Sequence, residues 1–307
     1  MLSTRIEYVA LVSSDPQQTA GVLEKHFGLP RQEGSSSEGP VPLFRLGRSA
    51  LAVFPAGHSL VEGETKTGVH HIALGVDNLP AAAKRAAGEA FGGSAEKGLE
   101  GRGCTRLPRD STVGVRVVLT EPLGLAPHDG NTVAKIDHLG VASADVMEDE
   151  KVFCGKLGFA IESRQTDMEV RMAVESFTSD KYGVVYHNRS PEPVGGLRVY
   201  FITVGDCELE FLANFDPRQG AQVEHGNAGS TKQDQGAITR FVQSRGRGLH
   251  HVALRVRDID NTLACMAEAG LPMIDTKGRP GSRRAMIGFP HPKATGGILM
   301  HLVQRDG

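Results

Sequence analysis

The chain repeats one short pattern four times, and this constrains its fold more than any other feature. The four segments are Ile6-Glu7-Tyr8-Val9-Ala10-Leu11-Val12, Val69-His70-His71-Ile72-Ala73-Leu74-Gly75-Val76, Ile136-Asp137-His138-Leu139-Gly140-Val141-Ala142 and Leu249-His250-His251-Val252-Ala253-Leu254-Arg255-Val256. Each reads as a short apolar strand with one polar or aromatic residue near its start. Each is followed by a helix-start signal: Asp15-Pro16, Asn78 with Pro80, Asp145 and Asp258. A helix-length stretch then runs to a glycine, at Gly28, Gly92, Gly158 and Gly270, where a left-handed stop is available. The four strand-to-glycine intervals, Tyr8–Gly28, His71–Gly92, His138–Gly158 and His251–Gly270, are nearly equal.

Further strands follow each helix, at Leu43–Leu46 and Ala50–Phe54, Val113–Thr120, then Val170–Phe177, Leu197–Val204 and Glu208–Ala213, and finally Ala285–Phe289 and Gly297–Val303. The unit is strand, helix and several strands. The expected fold is α+β: four βαβββ modules, at 1–65, 66–132, 133–247 and 248–307. They pair into two domains, 1–132 and 133–307, each a curled mixed sheet around a cavity. Gly34–Pro40, Leu123–Asn131 and Arg218–Gly236 read as loops, the second of them as the domain linker. Ser179–Gly196 reads as an insertion, a loop or extra hairpin near the site.

With 34 Lys+Arg against 36 Asp+Glu, the chain has no basic excess to neutralise phosphates, which argues against nucleic acid as a partner. No apolar run approaches the roughly 18 residues that span a bilayer, and no signal-peptide core is visible. Cys104, Cys154, Cys207 and Cys265 are far apart and form no CxxC pair, so they read as reduced thiols of a cytoplasmic protein.

Alternate strand residues face one side of a sheet, so one residue per strand can enter a shared hollow. In 133–307 the first-strand residues are His138 and His251. The last-strand candidates are Glu210, in Cys207-Glu208-Leu209-Glu210-Phe211, and His301, in Leu299-Met300-His301-Leu302-Val303. All sit among apolar neighbours, where an unpaired polar group is costly. Three imidazoles and a carboxylate make a ligand set for one divalent ion: Zn, Co, Ni, Mn or Fe. By the same alternation His250 and His70 should face away. In 1–132 the equivalents are Tyr8, Ala52 and Val118 beside His71, so that half is expected to be metal-free.

The histidine-bearing repeats, together with Phe289-Pro290-His291-Pro292-Lys293-Ala294-Thr295-Gly296-Gly297, resemble the vicinal oxygen chelate superfamily, which includes glyoxalase, bleomycin-resistance and dioxygenase proteins. Residues 134–307 are most similar to methylmalonyl-CoA epimerase. The resemblance implies paired βαβββ modules and a metal held by His138, Glu210, His251 and His301. It also implies a carboxylate base early on the second strand of module three, where Asp167 and Glu169 are the candidates. Two departures stand out. The epimerase pattern ends in glutamate where this chain has His301, and four modules are more typical of dioxygenases, whose last-strand ligand is a carboxylate.

A bound divalent ion can chelate two vicinal oxygens and stabilise an enolate. Four protein ligands leave room for that chelate but crowd out O₂, which favours an epimerase, isomerase or glyoxalase-type lyase of bacterial type. The alternatives are a non-haem Fe(II) extradiol or keto-acid dioxygenase, and a metal-free ligand-sequestering protein. The substrate is expected to be small and anionic or vicinally oxygenated, with Lys293 and Arg279 as candidate substrate contacts. A homodimer is left open.

Overall fold

The computed structural model describes residues 1–93, 95–130, 132–217 and 236–305. Of the expected loop Arg218–Gly236, residues 218–235 lie outside these.

The first half begins with β1 (Ile6–Ser13), α1 (Pro16–Lys25), β2 (Arg31–Ser36), β3 (Gly39–Leu46) and β4 (Ser49–Pro55). It continues with β5 (Gly68–Gly75), α2 (Leu79–Ala87), β6 (Glu96–Lys97), β7 (Gly103–Arg106) and β8 (Val117–Thr120). The second half runs β9 (Val133–Ala142), α3 (Val146–Glu150), β10 (Ala160–Arg171), β11 (Val174–Ser179), β12 (Gly183–Asn188), β13 (Glu192–Val204) and β14 (Cys207–Phe215). It ends with α4 (Ala237–Arg245), β15 (Gly248–Val256), α5 (Ile259–Glu268), β16 (Arg279–Pro280), β17 (Met286–Gly288) and β18 (Met300–Gln304).

Two curled, mixed, eight-stranded sheets result, in the orders β2-β3-β4-β1-β5-β8-β7-β6 and β10-β13-β14-β9-β15-β18-β17-β16. The orders are the same apart from the inserted β11–β12 hairpin, which forms a two-stranded sheet of its own. In each, the first strand is central, parallel to the last strand of its own module and antiparallel to the first strand of the next.

All four expected helix starts are N-caps. Asp15 accepts from Gln18 N–H, Asn78 from Ala81, Asp145 from Met147 and Glu148, and Asp258 from Asn261. These side chains satisfy donors that a helix start leaves open. The second helix stops earlier than expected, at Gly88 (φ +100°) and not at Gly92. Gly34–Pro40 is not a loop: Ser36 pairs with Gly39 across a two-residue turn, joining β2 to β3. The Ser179–Gly196 insertion supplies β12 and the start of β13.

Residues alternate along each central strand. Val9, Leu11, Leu139 and Val141 join the helix residues Leu23, Ala86, Val146 and Leu263 in one apolar core common to both halves. Tyr8, Ala10, His138 and Gly140 belong to the other, concave faces. Among the described residues no helix is long and apolar enough to cross a membrane.

Candidate metal centre

On the second concave face, β9, β14, β15 and β18 bring together His138, Glu210, His251 and His301. Their registers align: Glu210 pairs with Gly140, Gly140 with His251, and Ala253 with both His138 and His301. His138, Glu210, His251 and His301 are all more than nine-tenths buried. One nitrogen from each histidine falls within 4.8 Å of the others. Glu210 Oε2 lies 3.3 Å from His138 Nε2 and 3.4 Å from His251 Nε2. The His301 ring centroid is 4.8 Å from that of His251 and 5.1 Å from that of His138.

Gly140 permits this convergence. A Cβ there would stand 2.0 Å from His251 Cε1, so only glycine lets the imidazole lie across the strand. Behind His138, Asp137 Oδ1 accepts from His138 Nδ1–H at 2.8 Å. Arg305 donates to both oxygens of Asp137. Asp137 thus fixes the tautomer and turns Nε2 toward the cavity. Neither Asp137 nor Arg305 is among the site residues the sequence points to; the Asp-His dipeptide is the signal it carries for the first.

His250 does not face away. The β9–β15 register slips between Leu249 and His251, so His250 sits in a bulge. It lines the same cavity, with Nδ1 3.0 Å from His251 Nδ1. The first half repeats this feature: the β1–β5 register slips at His70, whose Nδ1 is 2.8 Å from His71 Nδ1. Strict alternation fails at both positions because a bulge adds one residue.

Burial pushes His138 down, but the Glu210 charge and the hydrogen bond to Asp137 outweigh it and raise the imidazole to about 9. Burial pushes Glu210 up, but the neighbouring His138 and His251 imidazoles, His138 the stronger, hold it well below the carboxylate range. Burial lowers His251 and His301, the latter also because His251 and His138 stand beside it. Neither ring nitrogen of His301, nor His251 Nε2, makes a hydrogen bond among the described residues. Three orphaned nitrogens beside a carboxylate in an apolar sheet suit a divalent transition ion.

The cavity in front of these groups is about 210 Å³, walled by Leu197, Leu212, Ile238, Ile287, Phe289 and Val303. Arg279 is on its wall, over the Phe289 ring at 5.1 Å and 3.4 Å from Asp275. Asp167 is buried, accepts from Gln165 Nε2 at 2.7 Å, and pairs across strands with the wall residue Leu197. Glu169 is exposed, one step farther along β10. Lys293 is exposed on the turn Pro292–Thr295, which packs on α1 of the first half, and it is not on the cavity wall.

In the first half the equivalent registers carry Tyr8, His71, Ala52 and Val118. Tyr8 Oη is 3.2 Å from His71 Nε2. Phe54, Leu60, Leu123 and Val118 join Tyr8 in a core that fills the concave face.

Residues 137–289 match the sequence model of the Glyoxalase/Bleomycin resistance protein/Dioxygenase superfamily. An uncharacterized protein, YqjC, of Bacillus subtilis (strain 168) is 21% identical over 173 residues, 56% of this chain and 94% of that protein. Mitochondrial methylmalonyl-CoA epimerase of Mus musculus is 26% identical over 130 residues, 42% of this chain and 64% of that enzyme. A triple mutant of 4-hydroxymandelate synthase from Streptomyces coelicolor superposes over 100% of this chain and 94% of its own, with a TM-score of 0.61 and 15% identity.

Proposed function

The chain belongs to the glyoxalase/bleomycin resistance/dioxygenase superfamily, and from that we propose a metal-dependent enzyme that abstracts a proton next to a carbonyl, of the epimerase or isomerase kind. The observation that carries this reading is His301. It is a buried imidazole with neither nitrogen bonded, facing His138, His251 and Glu210. His138, Glu210, His251 and His301 would hold one divalent ion. When bound, that ion supplies Lewis acidity for an enolate oxygen of the substrate.

The remaining work falls to the chain's own side chains. Asp137 and Arg305 orient His138. Arg279 offers a positive charge on the cavity wall, suited to an anionic substrate. Leu197, Ile287 and Phe289 exclude water from the reacting carbon. Asp167, buried and on the cavity side of β10, is the better placed of the two candidate bases. Glu169 is exposed, and Lys293 is remote from the wall. Residues 1–132 form the proposed metal-free domain and 133–307 the catalytic one. A cytoplasmic location belongs to the same proposal.

The test is α-proton exchange. The full chain loaded with Co, Mn, Zn, Ni or Fe(II) is mixed in D₂O with 2-acyl thioesters and 2-oxo acids. Methylmalonyl-CoA comes first, because it is the substrate named for the mouse relative. Metal-dependent deuterium incorporation without O₂ uptake supports the proposal. Fe(II)-dependent O₂ uptake would move the dioxygenase reading ahead, and ligand binding by metal-free protein would move sequestration ahead.

A further inference from the structure

A second cavity, about 70 Å³, lies at the seam of the two halves. The start of β5 and the Arg109–Arg116 segment line it from one half, and the end of α4 and the start of β15 from the other. Its charged lining is five cations, Lys66, Arg109, Arg116, Arg245 and Arg247, against one carboxylate, Glu64. Glu62 and Glu148 reach in as partners: Arg116 pairs with Glu62 and Glu64, and Arg247 pairs with Glu148. The balance stays positive. Arg109 leans on the carbonyls of Gly114 and Arg247, and Arg245 on that of Thr67. Those contacts hold the guanidinium groups in place, and among the described residues no carboxylate pairs with Arg109 or Arg245.

The floor of this cavity is His70, its side chain 2% exposed. Among the described residues His70 Nε2 makes no hydrogen bond, and it is 3.8 Å from Glu62 Oε2, beyond bonding reach. Burial, reinforced by Arg116, lowers His70 to about 3, so the ring is neutral. Its tautomer follows from the chain Tyr8–His71–His70. If Tyr8 O–H donates to His71 Nε2 and His71 Nδ1–H donates to His70 Nδ1, every inner group is satisfied. The remaining hydrogen is then on His70 Nε2, directed at the seam. The reverse polarity would strand the Tyr8 hydroxyl hydrogen within the apolar core around it. The favoured polarity leaves a buried N–H donor, ringed by cations, that lacks an acceptor.

We propose that the seam is a binding site for a phosphate-class oxyanion, held by His70 Nε2–H, Arg109, Arg116 and Arg245. The site is separate from the metal cavity and does not depend on the metal reading. Helix α4 touches both: Arg245 and Phe241 line the seam, while Ala237 and Ile238 line the metal cavity. The Phe241 ring also meets His250 edge-on at 4.8 Å. An anion at the seam would therefore pin the helix that walls the other cavity.

The experiment is calorimetric titration of inorganic phosphate into the full chain. EDTA is present to exclude binding through an ion, and chloride keeps ionic strength constant. Saturable one-site binding is expected, weakened at least tenfold in the Arg109→Gln/Arg245→Gln double variant, with slower amide exchange in α4 when phosphate is present. His70→Phe should bind equally weakly; the double variant changes two exposed side chains and keeps the test valid if His70→Phe does not fold. No saturable heat beyond the chloride control, or equal affinity in the double variant, would overturn the proposal.

Discussion

Asp137 Oδ1 lies 2.8 Å from His138 Nδ1, and Arg305, just past the last strand, grips the same carboxylate. Adjacent residues on a strand normally face opposite sides, so this contact joins the two faces of the sheet at one imidazole. Replacing Asp137 with Asn keeps the shape but weakens the hold on the Nδ1 proton. We expect Asp137→Asn to lower divalent-ion affinity by about 10–100-fold, the usual effect of losing such an outer partner, with the fold intact by circular dichroism. Unchanged affinity would remove Asp137 from the positioning role.

Gly140→Ala should be more disruptive than its size suggests. The added Cβ would meet His251 Cε1 at 2.0 Å, so the ring must leave its position. Overpacking of this kind costs about 1–3 kcal/mol. The expected result is a lower melting temperature together with loss of stoichiometric metal uptake, measured on the same sample.

Metal uptake should be coupled to protons. In the metal-free protein His138 is raised to about 9 by Glu210 and Asp137 against the opposing effect of burial, so it is protonated at pH 7. A cation must displace that proton. Affinity should rise about tenfold per pH unit up to roughly pH 9, with about one proton released per ion at pH 7. Titration calorimetry in two buffers of different ionisation enthalpy measures the release. The stability of the metal-free fold carries the matching sign. The His138 contribution is complete below about pH 6.5 and lost as pH rises through about 9; the Glu210 contribution is present above about pH 4.3 and lost on acidification.

Asp149 offers a test of the packing away from the metal centre. It is 1% exposed and its Oδ2 has no hydrogen bond among the described residues. Burial raises it to about 7, against the Ser143 hydrogen bond and Arg247. A raised carboxyl pKa costs stability once pH exceeds the unfolded value, so stability should fall between about pH 4 and 7. Asp149→Asn should therefore stabilise the protein at pH 8, by up to about 4 kcal/mol and several degrees in Tm, and give no gain near pH 3.5. Thermal melts of both proteins across pH check this.

The repeats made much of this molecule readable. A central strand and a capped helix recur in each module, so Tyr8, His71, His138 and His251 could be aligned without a structure. The β1–β4 and β9–β14 pairings then put Ala52 and Glu210 at matching registers. What escaped was whatever broke the period. The bulges at His70 and His250 interrupt the alternation, and the second turns His250 into the cavity that His251 lines. Gly88 ends its helix before Gly92 can. The Arg305–Asp137 pair is 168 positions apart, a separation no local pattern reports. Lys293 lies in a turn whose packing partner, α1, belongs to the other half of the chain.

The proposal that His138, Glu210, His251 and His301 together hold a divalent ion is tested most directly by metal stoichiometry and affinity, with His301 intact and removed. The full chain, stripped and reloaded with Zn, Co or Mn, should bind about one ion by elemental analysis and calorimetry. His301→Ala should bind at least ~100-fold more weakly, while His301→Glu should restore binding with a negatively charged inward donor in place of a neutral one. If His301→Ala binds as tightly as the parent, His301 is not a ligand; the remaining His138, Glu210 and His251 would then form an open triad, and enolate chemistry would give way to oxygen chemistry.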